Sequence, residues 1–336
     1  MSDPRVMVTG GAGFIGSHLV DRLLELGYVV DVIDDLSSGS LLNLSSARQN
    51  YQGRIFIHQL DVRSPSLIEL TRRRRPSTIF HLAARTDVTA SISNPSDDLS
   101  VNVAGSIRVL EAALAGEATK VIYATSAAIY GDPSQELIPL DENTQLKPIS
   151  PYGASKRAAI DYLEIFRSVY DLEYTALVFA NVYGPRQGFR GEAGVVSTFT
   201  ERLLAGRPCQ VFGDGTSTRD YVYVTDVVDA MIRAIDSAGG LLVNVGTSVE
   251  TQINALFEMI ARATGSTLGP RMMPRRLGEI QRNALSIERA KAQLGWKPII
   301  DVRDGISMLV DWYNSRPVEF VSRRLRERQG YSSLSK

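Results

Sequence analysis

The chain has 336 residues, 44% hydrophobic and 22% charged, more than one hydrophobic core usually holds, so two lobes or one large α/β unit are expected. Its 37 basic and 37 acidic residues cancel, which excludes a general affinity for polyanions or acidic membrane surfaces but leaves individual anionic ligands open. The single Cys209 excludes an internal disulfide, and with only three scattered histidines no zinc spacing exists; no metal is expected, and a reducing, cytoplasmic setting is.

No apolar stretch reaches the roughly 20 residues a membrane span needs, and no secretory apolar region precedes residue 5. Residues Arg5 to Val8 read as a strand, Phe14 to Leu26 as a helix and Val29 to Ile33 as a second strand. Further strands are expected at Arg54 to Ile57, Thr78 to Leu82 and Lys120 to Ala124, with helices between them. Such alternation predicts parallel βαβ units in a doubly wound sheet. The helical pattern Pro65 to Thr71 closes on Arg72 to Arg75 just before Pro76, and this cationic run reads as a solvated helix end, not a nucleic-acid patch. Beyond about residue 180, glycine-rich turns (Tyr183 to Gly194, Gly213 to Thr216), short strands and shorter helices predict a smaller α/β lobe. The division expected is residues 1–178 and mainly 179–316, with room for the chain to cross back to the sheet, and a charged, frayed tail at 317–336.

Between the first strand and first helix lies VTGGAGFIG, with Gly10, Gly13 and Gly16 three apart. In that context the first glycine makes a tight turn, the second admits a pyrophosphate, and the third lets the helix pack against the sheet with its N-terminus facing the phosphates. Asp34 ends the second strand 21 residues after Gly13, placed to accept ribose hydroxyls and repel a 2′-phosphate; Asp35 adds to the repulsion. A Rossmann-type domain binding NAD in preference to NADP follows. Asp61-Val62 follows the third strand, where a carboxylate could receive the adenine amino group, and Leu82-Ala83-Ala84 follows the fourth, leaving room for the middle of the cofactor.

Two further segments carry chemistry. YATSAAIY places Ser126 at the end of the fifth strand, where ligands bind in a doubly wound sheet, and YGASK places Tyr152 and Lys156 four apart on one helix face. A phenol of pKa about 10 is a poor base at neutral pH, but an ammonium and a positive nicotinamide ring nearby would favour the phenolate.

Together with NVYGPRQ, GEAGVV and FGDGTSTRDYVYVTDVVDA, these motifs resemble the extended short-chain dehydrogenase/reductase family from about Arg5 to Tyr313, and within it the bacterial 4-epimerases of UDP-glucose and UDP-galactose. The resemblance implies that Tyr152 takes the proton of the sugar 4-hydroxyl while C4 passes hydride to NAD. Ser126 then stabilises that oxygen, and Lys156 holds the nicotinamide ribose. The 4-keto sugar turns over and takes the hydride back on its other face, so NAD is retained. Dehydratase and decarboxylase relatives place acidic residues just after the serine; Ala127-Ala128 here favour simple epimerisation. The resemblance also assigns Phe14, Ile15, Asn102 and Phe179 to the cofactor and Asn181, Val196, Val211, Phe212, Arg219, Arg276 and Glu279 to the sugar nucleotide. Two guanidiniums suit a diphosphate and a carboxylate suits a ribose.

Two departures bear on the substrate. Val178 replaces an arginine many relatives carry, and Asn283 stands where some glucose-restricted relatives have a tyrosine, so a C2 N-acetyl group could fit. A uronate would need a cation such as Arg85 or Arg190 near C6. Non-catalytic sensing of NAD or a sugar nucleotide, and net oxidation with NADH release, are the other readings. The resemblance implies a homodimer formed through helices expected at Pro95 to Leu114 and Tyr152 to Tyr170.

Overall fold

The structure, a computed structural model, describes residues 4–133, 135–188, 194–275 and 280–316. In chain order the first half runs β1 (Arg5–Thr9), α1 (Phe14–Glu25), β2 (Val29–Asp34), α2 (Ser45–Asn50), β3 (Ile55–Gln59), α3 (Ser66–Arg74), β4 (Thr78–His81), α4 (Val88–Ser93), α5 (Pro95–Leu99), α6 (Gly105–Ala115), β5 (Lys120–Ser126), α7 (Pro151–Tyr170) and β6 (Glu173–Phe179). The second half runs β7 (Asn181–Tyr183), α8 (Val195–Leu204), β8 (Gln210–Phe212), β9 (Thr218–Arg219), β10 (Tyr221–Tyr223), α9 (Val224–Arg233), β11 (Leu241–Val245), β12 (Thr251–Gln252), α10 (Ile253–Thr264), β13 (Arg271–Met273), α11 (Glu288–Leu294) and α12 (Val302–Asn314).

Seven strands form one parallel sheet in the order β11-β6-β5-β4-β1-β2-β3. Helices cover both faces, so the central strands are apolar without alternation: Val6, Met7 and Val8 of β1 and Val121, Ile122 and Tyr123 of β5 are all buried. The chain winds outward through β2 and β3, then restarts on the other side of β1 with β4. The carboxyl ends of β1 and β4 therefore flank the switch point, where doubly wound sheets bind ligands. After the small-lobe elements β7 to β10 the chain returns to the sheet through β11, while α9 packs on α1.

The smaller lobe has three two-stranded sheets, β7 with β10, β8 with β13 and β9 with β12. Helices α8, α10 and α12 enclose its own core of Tyr183, Phe199, Tyr223, Leu256, Ile306 and Leu309. Phe14 and Ile15, the first residues of α1, pack against this core, so the two lobes meet on the helix that follows the glycine motif.

Several expected bounds shift. The third strand begins at Ile55 and runs on to Gln59; the helix expected at Pro65 to Thr71 is α3, extending to Arg74. The helix expected at Pro95 to Leu114 is interrupted by a π-helical segment, Ser100–Ala104, between α5 and α6. The tail at 317–336 lies outside the described residues.

The Arg72 to Arg75 run is an ion-paired helix end. Arg72 meets Glu69, Arg75 closes α3 in a left-handed cap and meets Glu117, and Arg74 turns inward to Asp31. The Asp31 carboxylate is fully buried in β2 and also accepts from Arg5 Nη1 of β1 (3.0 Å) and His58 Nε2 of β3 (2.9 Å), while the Arg74 guanidinium stacks 4.1 Å over Phe56. Burial pushes this carboxyl up, but the hydrogen bonds from His58, Arg5 and Arg74 outweigh it and hold the group below the usual carboxylate range. Its contribution to stability is therefore present above the unfolded pKa of about 3.9 and lost as pH falls through the lower folded value. Asp31→Ala should cost about 3–5 kcal/mol by urea denaturation at pH 7, because it strands two part-buried guanidiniums and the His58 donor, and the deficit should shrink as pH falls below the unfolded value of about 3.9.

Candidate active site

The glycine motif is built by close approach. Gly10 has φ +68°, and a Cβ there would lie 2.8 Å from the Ala83 nitrogen, so the ends of β1 and β4 touch backbone to backbone. At Gly16 a Cβ would meet the Gly10 carbonyl at 2.1 Å, which presses α1 onto the turn. Gly13 is the N-cap of α1 and supplies no side-chain acceptor, leaving the first-turn N–H groups for an anion. At the end of β2, Asp34 accepts from the Ala12 and Leu36 nitrogens, each at 2.9 Å. Burial pushes its carboxyl up, and those two bonds oppose the rise. A Cβ at Gly39 would strike the same carboxylate at 2.7 Å, so the pocket is closed on that side by backbone. Asp35 is exposed and accepts from Ser37.

Asp61 is gripped by Arg63, whose hydrogen bonds hold its carboxyl below the usual range, and Val62 beside it is buried. Leu82, Ala83 and Ala84 are half-buried, and the first two donate their N–H groups to Thr9 Oγ1 at 3.2 Å. A buried chain continues beneath them: Thr9 Oγ1 meets His81 Nδ1 (2.8 Å), His81 Nε2 meets Ser106 Oγ (2.9 Å), and Ser106 donates to the Asn102 carbonyl (2.6 Å). Burial, aided by the Lys156 charge, lowers the His81 pKa to about 3, so the imidazole is neutral. Asn102 sits in the π segment; its amide brackets the Arg85 backbone and donates to Asp98.

The second cluster lies at the carboxyl end of β5. Ser126 ends the strand, and its Oγ accepts from the Ala128 nitrogen (3.3 Å) at the start of the 3-10 turn Ala127–Tyr130. Ser150 caps α7 by accepting from the Gly153 nitrogen, with Pro151 at the first helical position. A Cβ on Gly153 would lie 2.5 Å from the Ala128 carbonyl, so the first turn of α7 is pressed against the turn that follows Ser126. That contact, with a 3.2 Å bond from the Tyr152 nitrogen to Ser91 Oγ of α4, sets Tyr152 beside the end of β5. One turn on, Lys156 is buried, donates to the Ala124 carbonyl (3.0 Å) and lies 4.8 Å over the Tyr123 ring. Burial lowers its pKa to about 8 against the opposing pull of Asp98. Phe179 of β6 is in register with Ser126 and buried.

Beyond β6, Asn181 opens β7 with an exposed side chain and donates its backbone N–H to the Asp220 carbonyl (2.9 Å). Asp220 itself is buried and accepts from Thr247, Ser248 and the Leu285 nitrogen, tying β9, the loop after β11 and residues 283–285 together. Arg219 on β9 is half-buried, donating to the Thr218 carbonyl. Val196 and Val211 are packed into the small-lobe core, and Phe212 keeps part of its surface open. Asn283 is buried, and its amide oxygen has no hydrogen-bond partner among the described residues. Arg85 pairs with Asp97 (2.9 Å), and its charge reaches Asp61, on the cofactor side of the crevice. Arg276, Glu279 and Arg190 lie outside the described residues.

Ser126, Tyr152, Lys156 and the glycine turn thus stand at the carboxyl ends of one sheet. Ser91, Asp98 and Ser155, which hold this arrangement, were not singled out from the sequence; SPYG at 150–153 carried a readable cap signal, whereas nothing local marks Ser91.

Residues 6–246 match the NAD dependent epimerase/dehydratase family. A UDP-glucose 4-epimerase of Mycolicibacterium smegmatis is 45% identical over 314 residues, covering 93% of this chain and 99% of that one. Among solved structures, UDP-glucose 4-epimerase of Thermotoga maritima with UDP-glucose superposes with a TM-score of 0.88 at 39% identity, covering 92% of this chain and 98% of the other. The UDP-N-acetylglucosamine 4-epimerase of Methanobrevibacter ruminantium, in complex with UDP-N-acetylmuramic acid, gives 0.87 at 33% identity, covering 94% and 99%. The glycine turn, the buried Tyr152 and Lys156 and this likeness along nearly the whole chain agree: the protein belongs to the NAD dependent epimerase/dehydratase family, among the extended short-chain dehydrogenases/reductases.

Proposed function

We propose that the protein is an NAD-dependent nucleotide-sugar 4-epimerase acting on UDP-glucose and UDP-galactose, in carbohydrate metabolism. The observation that carries this reading is the meeting of Ser126, Tyr152 and Lys156 at the end of β5 beside Ala127-Ala128, where no acid stands to eliminate or decarboxylate. NAD fits the crevice: Gly10 and Gly16 leave no room for side chains, α1 offers uncapped N–H groups, and Asp34 closes the far end as a ribose acceptor. Bound there, NAD supplies a hydride acceptor that becomes the donor in the return step.

The chain does the rest. Tyr152 removes the proton of the sugar 4-hydroxyl and later gives it back, its phenolate favoured by the Lys156 ammonium one helical turn away. Ser126 donates to the same sugar oxygen. Residues 1–178 form the cofactor domain and 179–316 mainly the sugar-nucleotide lobe, with Asn181, Phe212 and Arg219 assigned to the nucleotide; Arg276 and Glu279, given the same role by the resemblance, lie outside the described residues. The buried amide oxygen of Asn283, without a partner among the described residues, favours a second reading, that a C2 N-acetyl group is accepted. Arg85, engaged with Asp97, offers less support for a uronate.

The apolar stripe Tyr162, Ile165 and Val169 on α7, with Leu99 beside it on α5, supports a homodimer through these helices. The lone buried Cys209 suits a reducing cytoplasm.

Four measurements test this reading. Purified protein incubated without added NAD should convert UDP-glucose to its C4 epimer, followed by proton NMR at the anomeric and H4 signals. Tyr152→Phe should lower the rate by about 10²- to 10⁴-fold while NAD still binds; no conversion of UDP-glucose, UDP-GlcNAc or UDP-glucuronate by the wild type would sink the reading. Gly16→Ala, whose methyl strikes the Gly10 carbonyl, should weaken NAD binding at least about tenfold by fluorescence titration and lower Tm. Light scattering at micromolar concentration should give twice the 36.8 kDa chain mass, and Ile165→Glu should halve it.

A further inference from the structure

The buried carboxylate of Asp98 has no place in the chemistry described so far. It lies on α5, 2% exposed, against the N-terminal turns of α7. Its oxygens accept from Asn102 Nδ2 at 3.0 and 3.1 Å and lie 2.9 and 3.1 Å from Ser155 Oγ. Asn102 Nδ2 is donor-only and also reaches Ser155 Oγ (3.2 Å), and the Ser155 hydroxyl can turn its one proton to the carboxylate, so the cage suits the ionised, acceptor-only form. Ser155 immediately precedes Lys156, and its hydroxyl also lies 3.0 Å from the Tyr152 carbonyl. One buried acid is thereby coupled to the backbone of one reacting residue and to the charge of the other.

We propose that Asp98 is a positioning residue that acts through Lys156, supplying the buried countercharge that keeps its ammonium protonated while NAD is bound, with Ser155 and Asn102 holding that carboxylate in place.

This role presupposes the functional reading above and follows from a count of charge. With Tyr152 as phenolate and Lys156 as ammonium, the positive nicotinamide ring would leave a net positive charge in a buried crevice. Asp98 brings the sum to zero. The other groups facing Lys156 cannot do so. His81 from β4 is neutral, Tyr123 from β5 offers its ring and has a hydroxyl that burial pushes far up, and the Ala124 carbonyl is a dipole. Facing Asp98 itself are Lys156, Tyr123 and, on its own helix, Asp97. Burial pushes the Asp98 carboxyl up, and Ser155, Lys156 and Asn102 draw it back. Lys156, already lowered by burial, would lose its proton most readily with Asp98 neutralised, and the phenolate would lose its nearest cation.

The test reads the ammonium directly. In protein saturated with NAD and grown on ¹³C,¹⁵N-lysine, only six side-chain signals exist, and Lys156→Met identifies the one of interest. Asp98→Asn should lower the Lys156 titration midpoint by at least about one pH unit relative to the wild type, while Asp98→Glu keeps it near the wild-type value. The alkaline limb of sugar conversion should move down with it. A purely structural role would lower Tm and leave the midpoint in place, and that result overturns the proposal. Asp98→Ser serves if the asparagine variant does not fold; if neither neutral variant folds, Asp98 is a structural residue and the proposal falls. A wild type that converts no sugar nucleotide would overturn the functional reading and still leave the midpoint shift to be judged separately.

Discussion

Everything at the carboxyl end of the sheet depends on the approach of Gly10 to Ala83. No side chain fits between the ends of β1 and β4, so the two strands on either side of the switch point meet through backbone alone. That contact sets the depth of the crevice. Thr9, one residue earlier, then reaches both N–H groups of Leu82 and Ala83 and hands the hydrogen bonding on through His81 and Ser106 to the π segment. A bulkier turn would shift the floor of the crevice and, through Asn102 and Asp98, the helix that carries Tyr152 and Lys156.

The parts of the fold legible in the sequence were those governed by short-range rules. Buried parallel strands read as unbroken apolar runs, and all five strands expected in the first half are found, because no polar face had to be inferred. The glycine spacing was readable for the same reason: steric exclusion at Gly10 and Gly16 is a local property. The π segment at Ser100–Ala104 was not readable, since SVNVA has nothing to distinguish it from ordinary helix; its conformation answers to Asp98, Arg85 and Ser106, which lie together only once the sheet has formed. Asp31 was equally silent. It is an acid in the middle of an apolar strand, and its reason for being there comes from Arg5, His58 and Arg74 on three other elements.

The candidate site divides in the same way. Ser126, Tyr152 and Lys156 stood out through motif spacing, and the structure sets them at the end of β5 and the start of α7. The residues that keep them there were invisible, because Ser91 and Asp98 contribute through single hydrogen bonds or charge across the helix layer. The residues proposed for the sugar nucleotide lie in the least regular part of the chain, where Asn181, Arg219 and Asn283 are arranged around Asp220 by loops instead of by a repeating ladder.

The grip of the small lobe on α1 has a wider consequence. Phe14 and Ile15 pack against its core, His18 donates to the Pro185 carbonyl (2.9 Å), and Asp21 pairs with Arg186 (2.7 Å), so the helix that follows the glycine turn is held along one side by the small lobe. On the proposed function, an epimerase whose cofactor helix is gripped by its own second lobe would keep its oxidant from one turnover to the next, and its rate would be indifferent to the ratio of oxidised to reduced nicotinamide around it.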